Sequence, residues 1–220
     1  MTVRVGIIDS GLPDGTVRAG DSSTRLLRDF TTDQCVVDRL GHGSAVHSII
    51  SAVPGVEIIT AKIFADRLSC GLATLIAAID WMSEQSVHLV NMSFGMIRGS
   101  EDLTRAVATL LDSGAHCIAA APAQGDPVYP SSLPQVIRAT GDARCVPDTL
   151  SWLDSAQADF GGHPGVPGAG PAGASVGCAH VTRVAARLLG KGDTLASGNL
   201  VSALQQFAHW QGPERRSGPP

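Results

Sequence analysis

A three-layer α/β fold, a mostly parallel sheet with helices on both faces, is what this 220-residue chain predicts. Short apolar runs rich in β-branched residues alternate with longer segments of helical periodicity, the pattern of a parallel sheet wrapped by its own crossovers. The strand runs are nearly unbroken in apolar residues, as strands buried on both faces are. Aromatics make up only 4% of the chain and glycines number 25, which suits close packing of helices on a sheet.

The elements follow in order. Residues 3–8 form a β-branched run that meets Asp9-Ser10-Gly11, a buried strand ending in a turn. Residues 43–53 carry Ala45, Val46, Ile49, Ile50 and Val53 at helical spacing. Residues 57–64 read as a second strand. The stripe Leu72, Leu75, Ile76, Ile79, Met82 marks a helix over 72–82, and residues 87–92 a third strand. A helix over 100–111 has Ser100 as its N-cap and Gly114 as its stop. Residues 116–121 form an apolar strand closed by Pro122, and 135–140 another. Residues 161–173, rich in Gly and Pro, read as a loop. Helices are expected over 176–189 and 195–210. Residues 1–210 form one domain, and 211–220 are expected to be a disordered tail.

Composition narrows the function classes. Lys+Arg number 16 against 20 Asp+Glu, a net charge of -4 with no basic tract, which excludes a nucleic-acid partner. No apolar run of about 18 residues is present to span a membrane. The N-terminal apolar run is too short for a secretory signal and meets Asp9. The cysteines are Cys35, Cys70, Cys117, Cys145 and Cys178, an odd number without C-x-x-C pairing. The expectation is a reduced, cytoplasmic protein that uses no metal and no cofactor.

Candidate chemistry lies in segments far apart in the chain: Ile7-Ile8-Asp9-Ser10-Gly11, Gly41-His42-Gly43-Ser44 and Gly173-Ala174-Ser175. Each alone has an ordinary reading as a turn, a Gly-rich bend or a helix cap. Together, Asp9 ends a strand while His42 and Ser175 open helices. All can therefore share one edge of a parallel sheet, where such folds bind ligands. A serine hydroxyl needs a base within hydrogen-bond reach, and that base needs an orienting carboxylate. A serine that opens a helix also brings backbone N–H groups and the positive dipole end toward a developing oxyanion.

The order Asp, His, Ser is that of subtilisin, and the chain resembles the subtilisin-like serine proteases over roughly its whole length. Gly6-Ile7-Ile8-Asp9-Ser10-Gly11 is similar to the family's aspartate motif. Gly41-His42-Gly43-Ser44-Ala45-Val46 resembles its histidine motif, with Ser44 and Ala45 where Thr and His are usual. Asn91-Met92-Ser93-Phe94-Gly95 resembles its substrate-strand motif, and Gly173 to Val181 its serine motif. The resemblance implies Asp9, His42 and Ser175 as a triad. It implies Ser93, Phe94 and Gly95 as one wall of the pocket for the side chain before the scissile bond. Leu68, Ser69, Cys70 and Gly71 would supply the other edge that clasps an extended peptide by β-augmentation.

Departures from the family pattern are informative. Ala121-Pro122-Ala123-Gln124 stands where relatives have a Gly-Asn pair whose Asn donates to the oxyanion. Ala123 has no side-chain donor, a loss that in subtilisin costs about 10²–10³ in turnover. Gln124 is the nearest replacement donor, the alternatives being a slow enzyme that relies on the Ser175 N–H and a pseudoenzyme. Pro122 reshapes the pocket that it lines together with Ala121. Ala179 replaces a usual Pro. His180 matches a family His of structural type, and His47, His88, His116 and His163 have no triad context. Cys178, one turn after Ser175, is expected to face the core. No acidic cluster reads as a calcium site, and no propeptide is expected. The resemblance thus implies a selective intracellular processing protease, with a peptide or protein substrate, no membrane partner and scope for a maturation complex. Its narrowest form is to proteases that remove the leader of the quinohemoprotein amine dehydrogenase small subunit in bacteria. The rivals are a non-catalytic peptide-binding module and a peptide acyl transferase or macrocyclase on the same fold.

Overall fold

The computed structural model describes residues 2–16, 26–165, 170–191 and 199–214. Its strands are β1 (Val3–Asp9), β2 (Leu27–Asp29), β3 (Val56–Lys62), β4 (Leu89–Met92), β5 (His116–Ala120), β6 (Ile137–Gly141), β7 (Ser151–Trp152), β8 (Phe160–Gly162) and β9 (Trp210–Gln211). They form a nine-stranded sheet in the order β2-β3-β1-β4-β5-β6-β8-β7-β9. Every pairing is parallel except β7 with β8. The helices are α1 (His42–Ser51), α2 (Leu72–Ser83), α3 (Glu101–Asp112), α4 (Ala174–Gly190) and α5 (Leu200–Phe207).

The expected three layers are present. Val5 and Ile7 of β1 pack with Val46 and Ile50 of α1, with α4, and with Leu200 and Leu204 of α5. Ile8 turns the other way, onto Leu75, Ile79 and Met82 of α2 and Leu103, Val107 and Leu110 of α3. This alternation places Ile7 and Ile8 in opposite layers, both buried, each contributing about 1.5–3 kcal/mol. Helix α3 is capped as its sequence predicts. The Ser100 hydroxyl accepts from the Leu103 N–H, Glu101 and Asp102 occupy the first turn, and Gly114 follows at φ +92°.

The chain enters the sheet at its middle. From β1 it moves outward to β2 and β3, then crosses to β4 and β5 on the other side. The carboxyl end of β1 is therefore a topological switch point, where α/β sheets open a crevice. In the register Ile8 lies beside Met92, and Met92 beside Ala119. Asp9, Ser93 and the segment after Ala120 therefore reach the same edge.

Several expectations are corrected. The loop expected over 161–173 begins later, because Gly161 and Gly162 belong to β8. A Cβ on Gly161 would stand 2.4 Å from the Ser151 hydroxyl, so the glycine there permits close strand approach and does not mark a loop. The helix expected over 195–210 runs from Leu200 to Phe207; residues 192–198 lie outside the described residues, and Trp210 is in β9. The tail expected from 211 starts later. Gln211 pairs with β7, the Gly212 N–H donates to the Trp152 carbonyl, and the Arg144 guanidinium donates to the Gly212 carbonyl. Residues 215–220 lie outside the described residues. Strands β2, β7 and β9 span two or three residues each, too short to carry a periodic signal.

Candidate active site

Asp9 and Ser10 are completely buried where β1 ends. Asp9 Oδ1 accepts from the Ser10 N–H at 2.7 Å, from the Ser10 hydroxyl at 3.2 Å and from His42 Nδ1 at 2.7 Å. A carboxylate facing Nδ1 fixes the tautomer with its proton there, leaving Nε2 free as a base. His42 is the first residue of α1 and is 7% exposed.

The glycines around His42 act differently. Gly41 takes φ +75°, the left-handed conformation that turns the chain into α1, and open space surrounds it. Gly43 sits in contact: a Cβ there would stand 2.5 Å from the Gly11 carbonyl oxygen and 3.1 Å from the Ser10 hydroxyl. Its N–H donates to Ser10 Oγ at 2.9 Å. The start of α1 can therefore lie directly on the end of β1, which brings the imidazole to the carboxylate.

Burial is the largest influence on the His42 imidazole and opposes its protonation. The hydrogen bond and charge of Asp9, with the charge of Asp38, outweigh it, and the net shift is upward from the ordinary value. Asp38 was not singled out in the sequence. Its carboxylate accepts from the Leu40 N–H at 2.9 Å, the Gly41 N–H at 3.0 Å and the Ser44 N–H at 2.7 Å. Burial would raise its own pKa, but these bonds and those of the Ser44 and Ser10 hydroxyls bring it below the usual carboxylate value. An Asp ahead of a Gly-His-Gly turn was the available signal.

Ser175 is the second residue of α4. Its hydroxyl donates to the Ser93 carbonyl at 2.8 Å, and among the described residues it makes no hydrogen bond to His42. Beneath it lies a buried polar chain. Thr182 Oγ1 donates to Asn91 Oδ1 at 2.9 Å, Asn91 Nδ2 to Ser93 Oγ at 2.9 Å, and Ser93 Oγ to the Ser175 carbonyl at 2.9 Å. This chain ties the end of β4 to the first turn of α4. Cys178 is fully buried against Asn91 and Ile118, and burial pushes its thiol up to about 12, so it is not a nucleophile.

The substrate-side residues are arranged less tightly. Leu68, Ser69, Cys70 and Gly71 lie in no strand, and the Ser69 N–H turns back to the Arg67 carbonyl. Leu68 is 54% exposed. Ser93, Phe94 and Gly95 extend beyond β4. Phe94 meets Phe64 edge-on at 5.7 Å, which anchors this wall in the core. The next residue, Met96, pairs through both backbone bonds with Tyr129. That pairing brings Val128 against Gly95, where its Cγ2 would be 2.6 Å from a Cβ. Val128 also lines a cavity of about 330 Å³ with Ala121, Pro122, Arg138 and Asp159. It therefore stands between the two expected pocket walls, another residue not visible in the sequence motifs. Ala123 and Gln124 are exposed at the mouth of a second cavity of about 510 Å³, with Thr140, Asp142 and Pro164.

The remaining histidines make other contacts. His180 is buried against His163, ring centroids 5.2 Å apart; burial first, then the charges of His163 and Arg183, lower it to about 4. His88 accepts from the Arg4 N–H, and His163 Nδ1 contacts the Cys145 carbonyl.

The fold recurs in known proteins. Residues 2–141 match the family model described as "Subtilase family". Among curated relatives, a thermostable alkaline protease of Halalkalibacterium halodurans is 27% identical over 131 residues, 54% of this chain and 35% of that protein. The minor extracellular protease Epr of Bacillus subtilis is 28% identical over 151 residues, 61% of this chain and 22% of that protein. The chain thus spans about a third or less of these relatives. Among solved structures, a cold-adapted subtilisin-like serine proteinase aligns with a TM-score of 0.67 at 20% identity, covering 93% of this chain and 81% of that one. The prenylagaramide maturation protease PagA aligns at 0.61 and 19%, covering 89% and 78%. The nisin leader peptidase NisP of Lactococcus lactis aligns at 0.52 and 19%, covering 64% and 56%. With the family model matched from β1 through the end of β6, and the same fold in these structures, the chain belongs to the subtilase family.

Proposed function

We propose that the chain is a serine endopeptidase in which Ser175 attacks a peptide carbonyl, His42 takes the hydroxyl proton and later delivers it to the leaving amine, and Asp9 holds the imidazole. The observation that carries this reading is the buried Asp9–His42 hydrogen bond at 2.7 Å in a subtilase chain whose Ser175 opens α4. For attack, the Ser175 hydroxyl must turn from the Ser93 carbonyl toward Nε2. The Ser175 N–H, at the start of α4, faces the oxyanion; Ala123 brings no side-chain donor, and Gln124 is the nearest candidate to replace it.

Its work is selective processing inside the cell, removal of a leader peptide from a bacterial protein, with the small subunit of quinohemoprotein amine dehydrogenase as the specific candidate. The missing side-chain donor at Ala123 and five cysteines free of disulfides support a restrained, cytoplasmic enzyme. PagA and NisP, which share the fold, are described as a maturation protease and a leader peptidase. Val128 against Gly95 supports a small residue, Gly, Ala or Ser, before the scissile bond.

The test is cleavage of a leader-bearing substrate followed by mass. Linear fragments that together gain one water, absent with Ser175→Ala, are expected. Loss of the leader with ring closure and no water gained would make the protein an acyl transferase. A second reading, a peptide-binding module without turnover, is favoured by the Ser175 hydroxyl resting on Ser93. Tight peptide binding with no cleavage and no acyl-enzyme would establish it.

A further inference from the structure

The base carries two carboxylates, and the second has no role in the scheme above. We propose that Asp38 is a positioning residue for His42: its carboxylate shapes the turn that delivers the imidazole to Asp9 and sets a second negative charge beside it. This rests on the reading of His42 as the general base.

The turn is built from both ends. Lys62, fully buried beside Asp9 in the sheet register, donates to the Cys35 carbonyl at 2.7 Å, the Val37 carbonyl at 3.1 Å and Asp33 at 3.2 Å. The Leu12 N–H donates to the Val36 carbonyl, and the Asp38 N–H to the Leu12 carbonyl. The backbone of Asp38 is thereby fixed to the segment that follows Asp9. Its side chain then reaches forward to the N–H groups of Leu40, Gly41 and Ser44, on both sides of His42. Beside it, the Ser10 hydroxyl bonds Asp9 and receives the Gly43 N–H. Asp38 thus holds the backbone on both sides of His42, while Ser10 ties Asp9 to the Gly43 N–H.

The charge matters as well as the geometry. His42 opens α1, where the positive end of the helix dipole disfavours an imidazolium. A carboxylate gathering N–H groups of that same terminus offsets the dipole. The negative charges acting on His42 are Asp9 from β1 and Asp38 from the turn. Helix α4, which packs on α1, brings Arg183, paired with Asp148 and donating to the Ile49 carbonyl near the other end of α1, and the Cys178 thiol, which stays neutral. Lys62 at the end of β3 and Arg39 beside the turn are both paired with Asp33. Burial opposes protonation of His42, and Asp9 with Asp38 reverses the balance.

The experiment is an NMR titration of His42 in the wild type, Asp38→Asn and, as a charge control, the exposed Asp112→Asn, with kcat/KM followed against pH. In Asp38→Asn the His42 pKa is expected to fall by about 0.2–0.7 unit, a 1.5–5-fold change in the protonation ratio. The acid limb of kcat/KM should move to lower pH by the same amount, with a plateau lowered roughly tenfold by looser positioning. The Asp112→Asn control should move neither. A folded Asp38→Asn protein with unchanged His42 pKa and acid limb overturns the proposal. If Asp38→Asn does not fold, Asp38→Ser, which keeps a short side-chain acceptor without the charge, decides on the same readouts: a fall in the His42 pKa supports the proposal and an unchanged value overturns it. A wild type that never turns over substrate, yet shows the shift in Asp38→Asn, would sink the protease reading while leaving this one standing.

Discussion

The two halves of the proposed active-site edge are built to different standards. On the base side, Asp9, Ser10 and His42 join through bonds of 2.7 to 3.2 Å, and Asp38 accepts from the N–H groups on either side of His42 at 2.7 to 3.0 Å. On the acyl side, the Ser175 hydroxyl rests on a backbone carbonyl, Ala123 offers no donor, and Leu68 to Gly71 hang outside the sheet. The base is preorganised and the acceptor of the substrate is not. Electrostatic preorganisation toward the oxyanion is commonly the largest catalytic contribution. An enzyme that leaves it incomplete gives up rate toward arbitrary peptides and depends on what its own substrate contributes.

That contrast can be broken by completing the weak side. Ala123→Asn restores a side-chain donor where Ala123 has none. Turnover of small generic peptides is expected to rise about 10–100-fold, with little change in the acid limb set by His42. A fall in turnover by the folded variant would show that the local backbone points elsewhere.

Val128 sharpens the contrast from the pocket. Replacing it with Gly opens the slot beside Gly95 toward the 330 Å³ cavity behind Pro122. Peptides with Phe or Leu before the scissile bond should gain about 10–200-fold in kcat/KM, while those with Ala change little. Wild-type preference for Phe over Ala would contradict the plugged pocket.

Smaller effects are expected beneath the nucleophile. Ser93→Ala removes the hydroxyl that joins Asn91 to the Ser175 carbonyl and leaves the buried Asn91 amide N–H without that acceptor. Urea unfolding should show a loss of about 1–3 kcal/mol. The Ser93 carbonyl remains, so the resting bond from the Ser175 hydroxyl should persist.

The last effect lies away from the edge. His180, lowered to about 4, is held neutral at ordinary pH. A histidine with a depressed folded-state pKa contributes stability that is complete above its unfolded value near 6.5 and lost as pH falls toward 4. Unfolding between those pH values should therefore be less steep in His180→Phe. Equal slopes would remove His180 from the acid response.

What was legible in the sequence, and what was not, follows the same division. Asp9, His42 and Ser175 each end or begin an element and sit among glycines, so a local pattern marks them. The long strands and helices were legible because burial imposes a period on seven to seventeen residues at a time. Asp38 reads locally as an ordinary turn residue, and only the fold reveals that its carboxylate lies beside the base. Val128 reaches Gly95 through the Met96–Tyr129 pairing, across more than thirty positions, roughly the span that hides any contact between loops. Gly161 misled because glycine marks a loop in sequence and a close strand contact here.

The most direct test of a preformed base facing an unassembled acceptor is the rate at which a small fluorophosphonate labels Ser175. Labelling at Ser175 is expected in the wild type, to drop by about 10⁶-fold in His42→Ala, the size of loss seen when either residue is removed from subtilisin, and to accelerate in Ala123→Asn. A folded wild type that never labels, or one whose labelling is indifferent to His42→Ala, would contradict it.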